Sequence, residues 1–212
     1  RSIDEARGVV YVPTGSPTPD FDGSGRKGAN LFGNSIIAID AATGRRIWHY
    51  QTIHHDLWDR DLSSAPTLVD VTVAGKPRQA LVQASKQGVL YVLDRETGEP
   101  IFPITEAPVP SSDIPGEYTH PTQPKVTLPE PFTRQTFGTD DITNINQAAY
   151  DHVKKQFDQA APFDYFRPLG LKPTILFPGF YGGRNWGGGA FDPDSGIYYI
   201  NAMEDANIVK IE

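Results

Sequence analysis

The densest stock of reactive side chains in this chain is the run His54-His55-Asp56-Leu57-Trp58-Asp59-Arg60-Asp61, with two imidazoles, three carboxylates, a guanidinium and an indole in eight residues. Set beside Ile53 and Leu62, so many polar groups are an odd complement for a surface strand. Taking a proton from an alcohol requires a carboxylate base near a Lewis acid, and Asp59, next to an indole that can wall off water, suits that work. A salt-bridged, hydrogen-bonded loop is the plainer reading of the same residues. Zinc is disfavoured, because adjacent histidines on a strand point to opposite faces and no second cluster has matching ligand spacing.

Two further places carry chemistry. Lys86 sits in the turn Ser85-Lys86-Gln87-Gly88 between two apolar runs, although a lone lysine at a turn is ordinarily solvated. The run from Gly179 to Gly189 reads Gly-Phe-Tyr-Gly-Gly-Arg-Asn-Trp-Gly-Gly-Gly. Its glycines admit backbone close to a flat ligand; Asn185 can hydrogen-bond a carbonyl and Trp186 can stack on a ring. A glycine-rich turn with a packing tryptophan is the alternative. The run lacks the strand–GxGxxG–helix setting of a dinucleotide site, and the chain has no phosphate-binding P-loop and no Gly-x-Ser-x-Gly elbow.

The elements that must position these groups announce themselves by repetition. An apolar residue, Asp, two residues, Thr or Ser, and Gly recur at Ile39–Gly44, Leu93–Gly98 and Phe191–Gly196, each followed by an apolar or aromatic stretch. Each copy predicts a hairpin: the Asp caps the turn and the Gly supplies a positive φ. Copies at this spacing imply an all-β array of propeller blades, about four four-stranded antiparallel sheets at roughly 40–50 residues each. Strands are expected at residues 8–14, in the hairpin 34–50, at 68–73, 79–84, 89–94 and 174–177, with a turn at Gly75-Lys76-Pro77. The loop 15–32 is long enough to carry a site. Residues 100–131 read as irregular, proline-punctuated surface chain. Residues 139–160 break the pattern: Ile142, Ile145, Ala149, Val153 and Phe157 recur at helical spacing, which predicts one inserted amphipathic helix capped by Thr139 or Asp140.

The net charge of −7 disfavours nucleic acid, whose phosphates need a basic surface. Without cysteine there is neither a disulfide framework nor thiol chemistry. No apolar run is long enough for a membrane-spanning helix. Four blades are few for a closed propeller, so the chain is expected to be a segment of a longer protein, with open sheet edges that favour self-association.

Taken together these residues resemble the pyrroloquinoline quinone (PQQ) dependent dehydrogenases, nearest the quinoprotein glucose dehydrogenase branch of that eight-bladed propeller family. The likeness runs in order through Tyr11-Val12-Pro13-Thr14-Gly15, Asn34-Ser35-Ile36-Ile37-Ala38-Ile39-Asp40, His54-His55-Asp56-Leu57-Trp58-Asp59, Lys86-Gln87-Gly88, Pro121-Thr122-Gln123-Pro124, Phe177-Pro178-Gly179 and Trp186-Gly187-Gly188. It implies that residues 1–212 form part of one propeller domain. It also implies oxidation of an alcohol or aldose hydroxyl, with PQQ as the hydride acceptor and a quinone or cytochrome taking the electrons onward, in the periplasm. Asp59 matches the family's catalytic base and a metal ligand. Lys86 matches the contact to the quinone oxygens, and Asn185 and Trp186 match contacts on the far side of the cofactor. The metal that the resemblance implies is calcium, or another divalent or lanthanide ion. The chain departs from the pattern where the family often has an Asn metal ligand: Ser16 stands there, with Asp20 and Asp22 nearby to compensate. A non-catalytic propeller scaffold and a sugar-binding module are the competing readings.

Overall fold

A computed structural model describes residues 1–212. The first sheet is an antiparallel meander of β1 (Ser2–Asp4), β2 (Val9–Pro13), β3 (Ser35–Asp40) and β4 (Arg46–Gln51). The second holds β5 (Thr67–Val73), β6 (Lys76–Ala84) and β7 (Leu90–Asp94), with a single bridge from Leu93 to Pro100 marking a fourth strand position. A two-stranded sheet of β8 (Ile104–Pro108) and β9 (Thr122–Val126) follows. After a helical interlude, β10 (Thr174–Leu176) pairs with β13 (Asn207–Val209), bracketing the hairpin β11 (Gly189–Asp192) to β12 (Ile197–Ile200). The expected all-β arrangement of small antiparallel sheets is present; one sheet has four strands and the others fewer.

The three sequence repeats fold alike. Asp40 Oδ1 accepts from the backbone of Ala42 and Thr43, Asp94 Oδ1 from Glu96 and Thr97, and Asp192 Oδ1 from Asp194. In each, the glycine four residues on lies at φ 70°, 76° or 70° and donates back to the aspartate carbonyl. A local carboxylate thus replaces the backbone partners that a tight turn leaves free. The β5–β6 turn falls one residue earlier than expected: Ala74 and Gly75 both take positive φ, and Lys76 and Pro77 already pair within β6.

Two other expectations are corrected. Residues 100–131 are not all irregular, because Ile104–Pro108 and Thr122–Val126 pair in full register, Glu106 opposite Pro124. A two-stranded sheet consists of edge strands, which tolerate proline, and Val126 goes into the core. The helix α1 spans Gln147–Phe157 and not 139–160. Asn146, not Thr139 or Asp140, caps it, its side chain accepting from Ala149 N at 2.9 Å. Residues Thr139–Asp141 form only a 3₁₀ turn, ended by the extended backbone of Ile142. Ile142 is buried and Ile145 is exposed, so the helical spacing was partly coincidence.

The main core lies between the first two sheets and β9: Tyr11, Ile36 and Ala38 meet Leu81, Val89, Tyr91, Leu93 and Val126. Tyrosine hydroxyls tie the layers, Tyr11 donating to Arg95 O and Tyr91 to Thr52 O. A second cluster joins Ile53, Leu57 and Trp58 to Phe166, Leu169 and Leu176. The reactive run, which crosses from β4 to β5, is therefore pinned between two cores.

Candidate active site

Asp56 organises that run. It is fully buried, and its oxygens accept from Trp58 N at 2.8 Å, Arg60 N at 2.7 Å, Ser16 Oγ at 2.5 Å and Asn34 Nδ2 at 2.8 Å. This folds the chain back sharply, with His55 and Asp59 in the left-handed region at φ 48° and 56°. Non-glycine residues adopt that conformation at a cost, and it persists where surrounding bonds over-determine it. Here the ties are His55 Nδ1 to Gly28 O, Trp58 Nε1 to Arg167 O and Arg60 Nη1 to Pro178 O, each 2.7–2.8 Å.

The result delivers Asp59 and Asp61 to one ammonium. Lys86 Nζ donates to Asp59 Oδ2 at 2.8 Å and to Asp61 Oδ2 at 2.6 Å, while Asp61 Oδ1 accepts from Ser16 N at 2.7 Å. Lys86 is buried, so it is not the solvated turn lysine that its isolation in sequence suggested. Burial pushes the Asp59 carboxyl up to about 6, helped by the charge of Asp61 and opposed by Lys86. Asp61 is half-buried, yet the bonds from Lys86 and Ser16 N hold it below the usual carboxylate range. Lys86, despite burial, is raised by its two carboxylates. Neighbouring acids pushed apart in this way are the mark of a divided acid–base assignment.

The glycine run 179–189 lies on the Lys86 turn. Gly183 N donates to Lys86 O at 2.7 Å, and Met203 N donates to Gly183 O. A Cβ on Gly182 would fall 2.5 Å from Lys86 Cβ, and one on Gly183 2.6 Å from Gly88 Cα, so only glycines permit this approach. Beyond them Arg184 is buried, bonded to Ser64 Oγ at 3.2 Å, with Nε and Nη2 unpartnered. Asn185 keeps a buried Oδ1 with no partner, and Trp186 is 81% exposed. The structure thus joins Asp59, Lys86 and the backbone just before Asn185, and leaves the Trp186 indole in the open. Asp61 was missed as a partner of Lys86, although its spacing of two from Asp59 was the available signal. Nothing in the sequence distinguished Arg184.

Ser16 is close but otherwise engaged. Its hydroxyl bonds Asp56 and its amide bonds Asp61. No three or more His, Asp or Glu side chains are grouped to hold a metal ion. Calcium takes six to eight oxygens, and the two carboxylates here share one lysine, so these residues as arranged do not fit that ion. They do fit a planar, carbonyl-bearing cofactor: the ammonium of Lys86 is a donor for a quinone oxygen, and the amide of Asn185 still has hydrogen-bonding capacity to spend.

Comparison with known proteins meets this geometry. The family model described as PQQ: glucose/ethanol/alcohol dehydrogenase, β-propeller domain, matches residues 1–212, and the chain belongs to that family. It is 38% identical over 198 residues to quinoprotein glucose dehydrogenase of Escherichia coli K12, covering 92% of this chain and 24% of that protein. It is 36% identical over 205 residues to quinate/shikimate dehydrogenase (quinone) of Acinetobacter baylyi, covering 95% and 25%. Among solved structures, quinohemoprotein alcohol dehydrogenase from Comamonas testosteroni superposes with a TM-score of 0.61 at 29% identity, over 95% of this chain and 24% of that one. The chain spans about a quarter of the length of these relatives.

Proposed function

We propose that this chain supplies the base and one face of the cofactor site of a PQQ-dependent dehydrogenase that oxidises an alcohol or aldose hydroxyl. The observation that carries the reading is the buried Lys86 ammonium clamped between Asp59 and Asp61. PQQ, when bound, supplies the two-electron acceptor. Above pH about 6 the Asp59 carboxylate is ionised and takes the substrate hydroxyl proton. Lys86 holds a cofactor oxygen by a charge-assisted hydrogen bond. Asp61 stays ionised and keeps the lysine charged and aimed. The buried Leu57 and Trp58 screen the base from bulk water. Asn185 offers its spare amide to the same cofactor.

The reading extends to a quinone or cytochrome as electron acceptor, a periplasmic setting, and self-association through open sheet edges. The Escherichia coli and Acinetobacter relatives, named for glucose and for quinate/shikimate, motivate the substrate class. Reconstitution of the whole protein with PQQ, an artificial acceptor, and a panel of aldoses and alcohols is the test. Asp59→Asn should abolish turnover with PQQ affinity retained, and the parent activity should rise with pH through about 6. Dye reduction by Asp59→Asn at the parent rate refutes the assignment of the base. Sugar binding without dye reduction by the parent favours a binding module, and neither binding nor reduction favours a scaffold.

A further inference from the structure

Apart from the Lys86 site, a cavity of about 380 Å³ is lined by His49, His54, Glu106 and His120 among others. The adjacent His54 and His55 do diverge, His55 Nδ1 turning to Gly28 O. The ring that joins His54 comes instead from the approach to β9, with the His54 and His120 centroids 4.6 Å apart. Hydrogen bonds fix both tautomers. The Gln51 amide donates through Nε2 to Ala29 O and Gly33 O. Its Oε1 is therefore the acceptor facing His54 Nδ1 at 2.8 Å, and that ring nitrogen carries the proton. His120 Nδ1 donates to Thr122 O at 2.7 Å, a contact far shorter than the 3.4 Å approach of Thr122 N. Each neutral ring thus keeps its lone pair on Nε2.

The His54 lone pair faces a carboxylate, with Nε2 3.6 Å from Glu106 Oε1. Burial, together with the His120 ring, outweighs Glu106 and holds His54 below its usual range, so the ring is neutral at pH 7. Two acceptors placed this way repel unless a cation lies between them. Their spacing is close to the roughly 3.3–3.5 Å between two ligand atoms on a tetrahedral zinc. An imidazole whose other nitrogen is tied to a carbonyl is also the arrangement of metal-binding histidines. No three side chains yet surround one point, but Glu106 is 49% exposed and can close on the two rings. We propose that His54, His120 and Glu106 bind a borderline divalent transition ion such as zinc or copper, with water completing its coordination. Glu106 lies in β8 and His120 just before β9, whereas His54 opens the reactive run. The ion therefore staples the β8–β9 hairpin to the run that carries Asp59, beside the paired bonds of Gln123 to His54 N and O. It is separate from the Lys86 site and takes no part in the oxidation.

The test is equilibrium dialysis of the cofactor-free whole protein against Zn²⁺, with a thermal melt of every variant. The parent should hold one equivalent more than His54→Gln or His120→Gln, and zinc should raise its melting temperature more than theirs. Glu106→Gln should weaken that equivalent by about tenfold or more, no less than the loss of an outer partner costs. Asp59→Asn should leave it unchanged, which separates it from any ion at the candidate active site. With Cu²⁺ in place of zinc, electron paramagnetic resonance should show two coupled imidazole nitrogens in the parent and one in His120→Gln. His120→Gln decides the matter if His54→Gln does not fold, because the His120 ring bonds only its near neighbour Thr122. Equal zinc stoichiometry and affinity in the parent and the folded His120→Gln overturns the proposal. So does loss of the equivalent in Asp59→Asn, or a copper spectrum that His120→Gln leaves unaltered.

Discussion

Replacing Lys86 by methionine keeps length and apolar stem while deleting the charge that Asp59 and Asp61 share at 2.8 and 2.6 Å. A cation this close ordinarily holds a carboxyl down by about 1–3 units. Without it, Asp59, already at about 6, should titrate at roughly 7–9, because burial and the Asp61 charge then act unopposed. The unfolded carboxyl titrates near 3.9, so above that the folded state binds the extra proton. Stability then falls with rising pH, by about 1.4 kcal/mol per unit, until the folded carboxyl has ionised. In the parent that fall ends near pH 6; in Lys86→Met it continues. The variant should therefore lose about 1.0–2.3 kcal/mol more than the parent between pH 6 and 8, on top of any pH-independent loss. Urea unfolding followed by tryptophan fluorescence at pH 5.5, 6, 7 and 8 measures it. A difference between variant and parent that stays constant across that range refutes the claim that the ammonium keeps Asp59 ionised.

Three other perturbations follow from the packing. Asp56→Ala leaves four donors without their common acceptor and should cost on the order of 3 kcal/mol or more in chemical denaturation. It should also weaken PQQ binding, since Asp59 and Asp61 lose their anchor. Gly182→Ala combines a φ of 74° with a Cβ 2.5 Å from Lys86 Cβ and should cost about 1–3 kcal/mol, read as a lowered denaturation midpoint and a weaker PQQ affinity. Asn146→Ala should cost α1 about 1 kcal/mol, seen as lost helical circular dichroism, without any change at Lys86, because the helix buries no residue.

What the amino-acid order settled by itself was local. The turns at Asp40, Asp94 and Asp192 need only their own neighbouring residues, so a short pattern was enough to read them and, through them, the all-β plan. The resemblance also singled out Asp59 and Lys86, which stand 27 residues apart yet share one ion pair. The hairpin of β8 and β9 was not legible, because its prolines mimic loop and its pairing is decided by a partner strand fourteen or more positions away. Nor was the true start of α1, where Asn146 outcompeted an apparent apolar period. Only tertiary structure turned Ser16 toward Asp56, placed Asp61 on Lys86, buried Arg184 and left the Trp186 ring exposed. Burial and the pairing of charges are properties of what lies across the core, and a linear pattern carries no direct record of that.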